Sequence, residues 1–559
     1  METQSTVAVP GEGDEWTIYS STQFPTPMQS VVANLLGVQL DKVVVKCKRV
    51  GGGFGGKQSN SGLIAGLAAV AAAKFRRPVS LHLSRHEDIT NTGKRHPAYF
   101  NYRVGFASDG RLRALDMRCY TNSGDTDNHA GVCGLMSSSV DGVYDVPVAR
   151  SLGRCCATNL VSSTAFRSYG HPQGLFAADS ILDRVAQAVG RDPHEVRELN
   201  LAHDGSLTIA DRPIVNENFV RCWNECKKCA HFDRRRVEVE AFNRSHAHRK
   251  RGLAMSGTRF AQPLPLKWGQ GVCLVTLYAD GTVGVSIGGV ELGQGINIKC
   301  IQIASRALGV SHESITILDH STEKTPNAML TGGSQSSDAH GLAVKEACDA
   351  LKARLEPFVR QKPDGTMSDW VKLAFAQGVA LTETATGVPT KNVELFYISG
   401  AACSEVEIDC LTGSHQIVRT DIVMDVGDSL NPAIDIGQIE GSFIQGVGLY
   451  LFEEMAFDAR GRLRTSRVAD CQLPTTQYVP QQFNVALLDH AATPGNVYSS
   501  KGIGEPALDL GLSAWLAVRR AVEARRGRPL SADYSPLSAD RILLECAGRD
   551  DLRWKDVRI

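Results

Sequence analysis

Gly51-Gly52-Gly53-Phe54-Gly55-Gly56-Lys57-Gln58 follows a β-branched run, Lys42 to Lys46, and precedes an alanine-rich stretch from about Gly62 to Phe75 and a second β-type run, Val79 to Leu83. This order predicts strand, glycine loop, helix, strand. Such a unit belongs to an α/β (α+β) layered fold, with a ligand at the helix N-terminus, where unpaired amides and the helix dipole favour an anion. Upstream, the pattern predicts a strand at Trp16 to Ser20, an exposed turn around Gln23-Phe24-Pro25 and a helix at Met28 to Leu36.

The same loop fits two phosphate-binding patterns, and each meets an obstacle. Gly51 through Lys57 satisfies the first seven positions of a P-loop, but Gln58 stands where Ser or Thr would hold magnesium. Gly51, Gly53 and Gly56 satisfy G-x-G-x-x-G, but the acidic residue expected about 20 positions on is absent; Glu87 comes about 31 residues after Gly56. Neither pattern accounts for the second half of the chain.

That half repeats the logic of the first. Gly332-Gly333-Ser334-Gln335-Ser336-Ser337 leads into a helix expected from near Gly341, so two glycine loops could grip one anionic ligand from both sides. Gln23, Gln294 and Gln438 add amides with unobstructed approach, the latter two flanked by glycines in Gly293-Gln294-Gly295 and Gly437-Gln438-Ile439-Glu440-Gly441. Taken singly, those glutamines read as turn residues. Hairpin signals stand at Asp109-Gly110, Asp280-Gly281 and Thr412-Gly413. The loop from Thr164 to Gly174 precedes a helix, and Asp192-Pro193-His194-Glu195 reads as a capping box with proline at the first helical position. The polar stretch from about Lys227 to Arg251 is the expected boundary between two lobes, 1–235 and 236–559.

Lys501-Gly502-Ile503-Gly504-Glu505-Pro506 places an acidic residue between glycines and a helix expected over Leu508 to Arg525. At the positive end of that helix, Glu505 should stay ionised, either as a simple cap or as a base ready to accept a proton.

Composition narrows the function classes. Among 559 residues the 60 basic and 60 acidic side chains cancel, which points away from nucleic acid and anionic lipid. The longest apolar run, Leu63 to Ala73, is too short to span a bilayer, and the N-terminus lacks a secretory pattern; a cytoplasmic protein is expected. Fifteen cysteines without such a signal favour reduced thiols. Cys222, Cys226 and Cys229 have a spacing that can ligate an iron–sulfur cluster but lack a fourth ligand nearby, so they read as structural.

Taken together, Lys48 to Lys57, Thr164-Ala165-Phe166-Arg167, Glu291 to Gly295, Cys403 to Gly446 and Gly502 to Pro506 resemble the xanthine dehydrogenase and aldehyde oxidase family, in register from Met1 to Ile559. The resemblance implies a two-lobed molybdopterin-binding domain and a molybdenum hydroxylase activity. It implies a sulfurated molybdenum cofactor held through a pterin dithiolene, with no protein side chain on the metal. By position, Glu505 resembles the family's general base toward the metal-bound hydroxyl. Gln23, Phe54, Gly55, Arg167, Gln294, Gly333, Ser334 and Gln438 match cofactor-contacting positions, and the Arg167 side chain is expected to face substrate. Gln58 and Leu135 stand where xanthine-oxidising members carry a glutamate and an arginine, while Tyr169 and Leu264 lie near two aromatic positions that sandwich the substrate. These departures imply aldehydes and uncharged N-heterocycles as substrates. The resemblance also implies 2Fe-2S and FAD modules outside this chain and a homodimer. The expectation is therefore that the chain works with separate electron-transfer subunits or derives from a fused gene, the latter preferred. The alternatives are a catalytically silent fragment and a nucleotide-binding α/β enzyme.

Overall fold

The computed structural model describes residues 1–126, 128–215, 218–262, 269–388, 396–530 and 532–548. Leu264 lies outside the described residues.

The opening unit forms as its pattern requires. Strands β1 (Ser5–Pro10), β2 (Trp16–Ser20), β3 (Val43–Lys46) and β4 (Val79–His82) make one sheet in the order β3-β2-β1-β4. Helices α1 (Pro25–Leu36) and α2 (Asn60–Phe75) pack against it through Val32, Ala33, Ala65, Ala68, Ala69 and Ala72. β3 and β4 occupy opposite edges of the sheet, so the glycine loop does not join neighbouring strands. Gln23 departs from the expected exposed turn. It is buried, because its amide is bonded to two loops rather than to water.

All three hairpin signals hold. Asp109-Gly110 joins β5 (Ala98–Phe106) to β6 (Leu112–Gly124), which pairs in turn with β7 (Val148–Ala157). Asp280-Gly281 joins β9 (Gly271–Leu277) to β10 (Val283–Ile287), in a sheet completed by β11 (Ile315–Ile317) and β12 (Thr382–Gly387). Thr412-Gly413 joins β13 (Phe396–Asp409) to β14 (His415–Met424). The last sheet runs β15-β14-β13-β8, with β8 (Arg249–Gln262) paired along the whole of β13, from Arg249 opposite Asp409 to Gln262 opposite Phe396. β15 is Gln482–Leu487.

The helices between these sheets carry the site. α4 (Gly131–Ser137) precedes α5 (His171–Val189) and α6 (Pro193–Leu199). Asp192 caps α6 by accepting from the His194 and Glu195 amides, but the reciprocal half of the box is not made; Glu195 pairs with Arg191 instead. The polar stretch 227–251 forms the end of α7 (Phe219–Cys229), α8 (Phe232–Ser245) and the start of β8. Of the three cysteines of α7, Cys222 and Cys226 are buried, with thiols directed at the carbonyls of Ser399 and Asp421, and Cys229 is exposed.

In the second half follow α9 (Ile296–Leu308), α10 (Ser336–Gln361), α11 (Met367–Ala376), α12 (Pro432–Leu451), α13 (Leu512–Arg526) and α14 (Ala539–Cys546). α10 starts five residues before Gly341, since Ser336 and Ser337 already take helical geometry. Gln438 stands inside α12 rather than in a turn, as the capping Asn431 and Pro432 start the helix upstream. α13 is buried nearly all round: Leu512, Trp515, Leu516, Val518 and Val522 are fully covered, each worth roughly 1.5–3 kcal/mol of transfer free energy. Its approach to β8 is backbone against backbone, since a Cβ on Gly252 would meet the Ala517 carbonyl at 1.8 Å. None of the helices among the described residues is long and apolar enough to cross a membrane.

Candidate active site

Glycine-bearing loops and residues of the helices α4, α9, α10 and α12 surround one cavity of about 610 Å³. Its lining includes Gln23, Phe54, Gly55, Gln58, Leu135, Arg167, Tyr169, Gln294, Gly333, Ser334, Gln438 and Glu505. Every candidate site residue within the described part of the chain therefore meets at one place.

The two glycine loops are tied together by Gln23. Its amide nitrogen donates to the Thr331 carbonyl at 2.9 Å, beside the second loop, and its amide oxygen accepts from the Gly55 N–H at 2.8 Å in the first. A Cβ on Gly53 would lie 2.6 Å from that oxygen, so glycine there makes the bridge sterically possible. Gln294 closes its own loop, accepting from the Leu292 amide and donating to the Val290 carbonyl. Glu291, which the sequence reading did not single out, accepts from the amides of Gly293, Gly295 and Asn297 and so organises the start of α9. Its position between glycines was the available signal.

Glu505 enters the cavity wall from the residue before a 3-10 turn, Pro506–Gly511, that precedes α13. Its side chain does not cap that turn, which sets aside the simple cap reading. Instead Oε1 accepts from the Ser168 amide at 3.3 Å and Oε2 from the Ser334 hydroxyl at 3.5 Å. Burial pushes the Glu505 carboxyl above its ordinary range, while Arg167 and the Ser168 amide pull it back and Asp509 adds to the rise. Glu505 precedes a short 3-10 turn rather than the α-helix expected there, so less helix dipole supports its ionised form against desolvation.

Arg167 is the hub of the wall. Its Nη2 donates to Gln438 Oε1 at 3.0 Å, its Nη1 to Gln445 Oε1 at 3.4 Å and its Nε to the Gly504 carbonyl, while its backbone N–H reaches the Phe54 carbonyl at 2.9 Å. Burial lowers the guanidinium to about 10, and the neighbouring Glu505 opposes that fall. Arg95 supports the loop from behind, donating to the carbonyls of Arg167 and Tyr169 and stacking over Phe166. Ser168 and Tyr169 hold left-handed φ of 67° and 54°, a strained turn of the sort found where a fixed side-chain direction is needed. Sequence reasoning quoted this loop for its arginine and missed Ser168 as the donor to Glu505.

The residues that a nucleotide site would need are committed elsewhere. Lys57 is buried against Glu2 at 3.2 Å rather than lining the cavity, and Glu87 closes a capping box with Ser84 in α3 (Arg85–Asn91). Among the described residues, no three of His, Cys, Asp or Glu come together as a group that could hold a metal ion.

Residues 1–201 and 225–480 each match a molybdopterin cofactor-binding domain. The chain is 41% identical over 570 residues to aldehyde oxidase 2 of Macaca fascicularis, and 41% identical over 563 residues to xanthine dehydrogenase of Drosophila pseudoobscura pseudoobscura. It is the molybdopterin-binding region of the xanthine dehydrogenase and aldehyde oxidase family. Both alignments cover 98% of this chain and 42% of the relative, so the chain spans less than half the length of these proteins. Equal identity to the two relatives does not favour one over the other. The solved structures agree on the fold. Quinoline 2-oxidoreductase from Pseudomonas putida 86 superposes with a TM-score of 0.87 at 22% identity, covering 98% of this chain and 74% of that one. Aldehyde oxidoreductase from Desulfovibrio gigas gives 0.83 at 25%, covering 98% and 59%. The chain is homologous to molybdenum hydroxylase enzymes, and its mixed α/β architecture is theirs.

Proposed function

We propose that this chain is the catalytic region of a molybdenum-dependent oxidoreductase that hydroxylates aldehydes and uncharged N-heterocycles, with Glu505 as general base. The observation that carries the reading is one half-buried carboxyl, Glu505, the only carboxyl among the described lining residues, set in the wall of a cavity cradled by Gly53 to Gly55, Gly293, Gly332 to Ser334 and Gly502 to Gly504.

The cradle fits a bulky anionic cofactor. Gly293 lines the cavity with φ of +101°, a backbone conformation that a residue with a side chain rarely adopts. A Cβ on Gly502 would meet the Ser334 carbonyl at 1.9 Å, which keeps the second glycine loop against the Glu505 segment. Phe54, Gly55, Gln294, Gly333, Ser334 and Gln438 would hold the cofactor, with Gln23 fixing the two loops around it. When bound in sulfurated form, the molybdenum cofactor would supply the two-electron oxidation and an oxygen drawn from water.

The protein's own part is positional and protolytic. Glu505 accepts a proton at Oε1 or Oε2 and becomes neutral, while Arg167 favours its ionised form beforehand and holds the wall through Gln438 and Gly504. Leu135, Tyr169 and Phe260 give the substrate side an apolar wall that excludes water, with Gln58 as a neutral hydrogen-bonding group. Among the described residues, Gln58 and Leu135 carry no charge at the two positions where xanthine-oxidising members are expected to hold a purine, which supports the aldehyde-type substrate class. Electrons would leave through iron–sulfur and flavin modules outside this chain, in a homodimeric assembly. We place the division between lobes near residue 235.

The test is Glu505→Gln in cofactor-loaded protein. Substrate-driven molybdenum reduction should fall by at least ~10²-fold with molybdenum content unchanged; retained reduction would remove Glu505 from this role. Absence of turnover by the wild-type chain with an artificial electron acceptor, despite full loading, would favour the silent-fragment reading.

A further inference from the structure

His171 and Asp509 form a buried pair directly behind Glu505, joined at 2.8 Å from Nδ1 to Oδ2 and 5% and 0% exposed. Thr258, on β8, donates to the same carboxylate oxygen at 2.8 Å, and Asp509 Oδ1 has no hydrogen-bond partner among the described residues. A buried carboxylate held on one oxygen and bare on the other is costly, and a fold that stability alone shaped would gain by replacing it.

Its location explains its presence. His171 opens α5 immediately after the strained Ser168-Tyr169 turn, and its own N–H bonds back to the Ser168 carbonyl at 2.9 Å. Asp509 lies in the 3-10 turn that Glu505 precedes. Two segments 337 residues apart therefore meet at three points: the Ser168 amide on Glu505 Oε1, the Ser168 hydroxyl on the Glu505 carbonyl at 2.7 Å, and His171 on Asp509. The imidazole is also pinned edge-on against Phe260, with centroids 5.2 Å apart, and Phe260 lines the cavity.

We propose that His171 and Asp509 are a positioning pair that locks the Ser168 loop to the Glu505 turn and places a second charge behind the reacting carboxyl. The inference rests on the reading of Glu505 as the base. Asp509 raises the proton affinity of Glu505 as a like charge, while Arg167 lowers it. The other charged and titratable groups facing these residues are Arg95, Tyr169, Tyr450 and, on the His171 side, Asp141 with Arg259. The pair therefore lets the buried carboxyl keep its proton to higher pH than Arg167 alone would allow, without moving the Ser168 donor.

The experiment follows the carboxyl itself, by infrared titration of the full chain. The band lost in Glu505→Gln identifies Glu505, and its midpoint is then read in two variants. Asp509→Asn, nearly isosteric and still able to meet His171 and Thr258, should lower the midpoint, because the like charge is gone. His171→Leu should raise it, because the Ser168 amide drifts from Oε1, and His171→Gln, which keeps a donor, should restore it. A midpoint in Asp509→Asn equal to that of the wild type overturns the proposal, whether or not His171→Leu folds. Failure of the base reading is a separate result: Glu505→Gln would still support molybdenum reduction while the midpoints shifted as stated.

Discussion

Gly55 and Ala165 stand backbone against backbone: a Cβ on Gly55 would lie 2.5 Å from the Ala165 carbonyl oxygen, and Gly55 itself has φ of +102°. One bond away, the Arg167 N–H meets the Phe54 carbonyl at 2.9 Å. The glycine loop and the arginine loop are thus one wall, although 110 residues separate Gly55 from Ala165 (165 − 55).

Gly55→Ala should force these loops apart. Steric overlap with a rigid carbonyl and a strained φ together predict a loss of roughly 1–3 kcal/mol. Denaturant unfolding checks the stability, and molybdenum per chain should fall with it.

Arg167→Met removes the bonds to Gln438, Gln445 and Gly504 and the positive charge beside Glu505. Glu505 then holds its proton to higher pH. The acid limb of the pH profile for substrate-driven molybdenum reduction should move upward, opposite in direction to Asp509→Asn.

Asp338, in the first turn of α10, is raised by burial to about 7 despite Asn496, the Gly502 amide and nearby Lys299 and Lys501. The folded state holds this proton more tightly than the unfolded chain, so the contribution is full below about pH 4 and is lost as pH rises through 7. Asp338→Asn mimics the protonated form and should be more stable than wild type at pH 8 by roughly 2–4 kcal/mol, with little difference at pH 4. Urea unfolding at the two pH values checks both halves of the statement.

Four buried histidines, His96, His320, His340 and His415, are each lowered to about 4, chiefly by desolvation. The unfolded chain binds their protons more readily, so stability present above about pH 6.5 is lost as pH falls toward 4. His415 packs against Phe452 and Tyr478. His415→Phe should flatten that slope, gaining about 2 kcal/mol relative to wild type between pH 7 and pH 5.

Much of the local structure was legible in the sequence because it depends on near neighbours. The strand, glycine loop and helix around Gly51 to Gln58, the three glycine hairpins and the proline start of α6 follow from backbone sterics and apolar spacing. Where such a rule was stretched, it slipped. Gln438 fell inside α12 because Asn431 caps the helix seven residues upstream, and α10 began at Ser336 because serines can take up a first turn. Gln23 looked exposed because its partners, Thr331 and Gly55, are distant in sequence.

The sequence by itself determined which residues are available at the site: a carboxyl at Glu505, an arginine at Arg167, and glycines that let loops approach a ligand. Only the tertiary structure decided what those groups are chemically. The Glu505 carboxyl is raised above its ordinary range because folding takes it partly out of water, with Asp509 adding to the rise and Arg167 and Ser168 opposing it. Local sequence governs φ, ψ and periodicity, whereas the dielectric and the charges around a side chain are set by segments brought together from hundreds of residues apart.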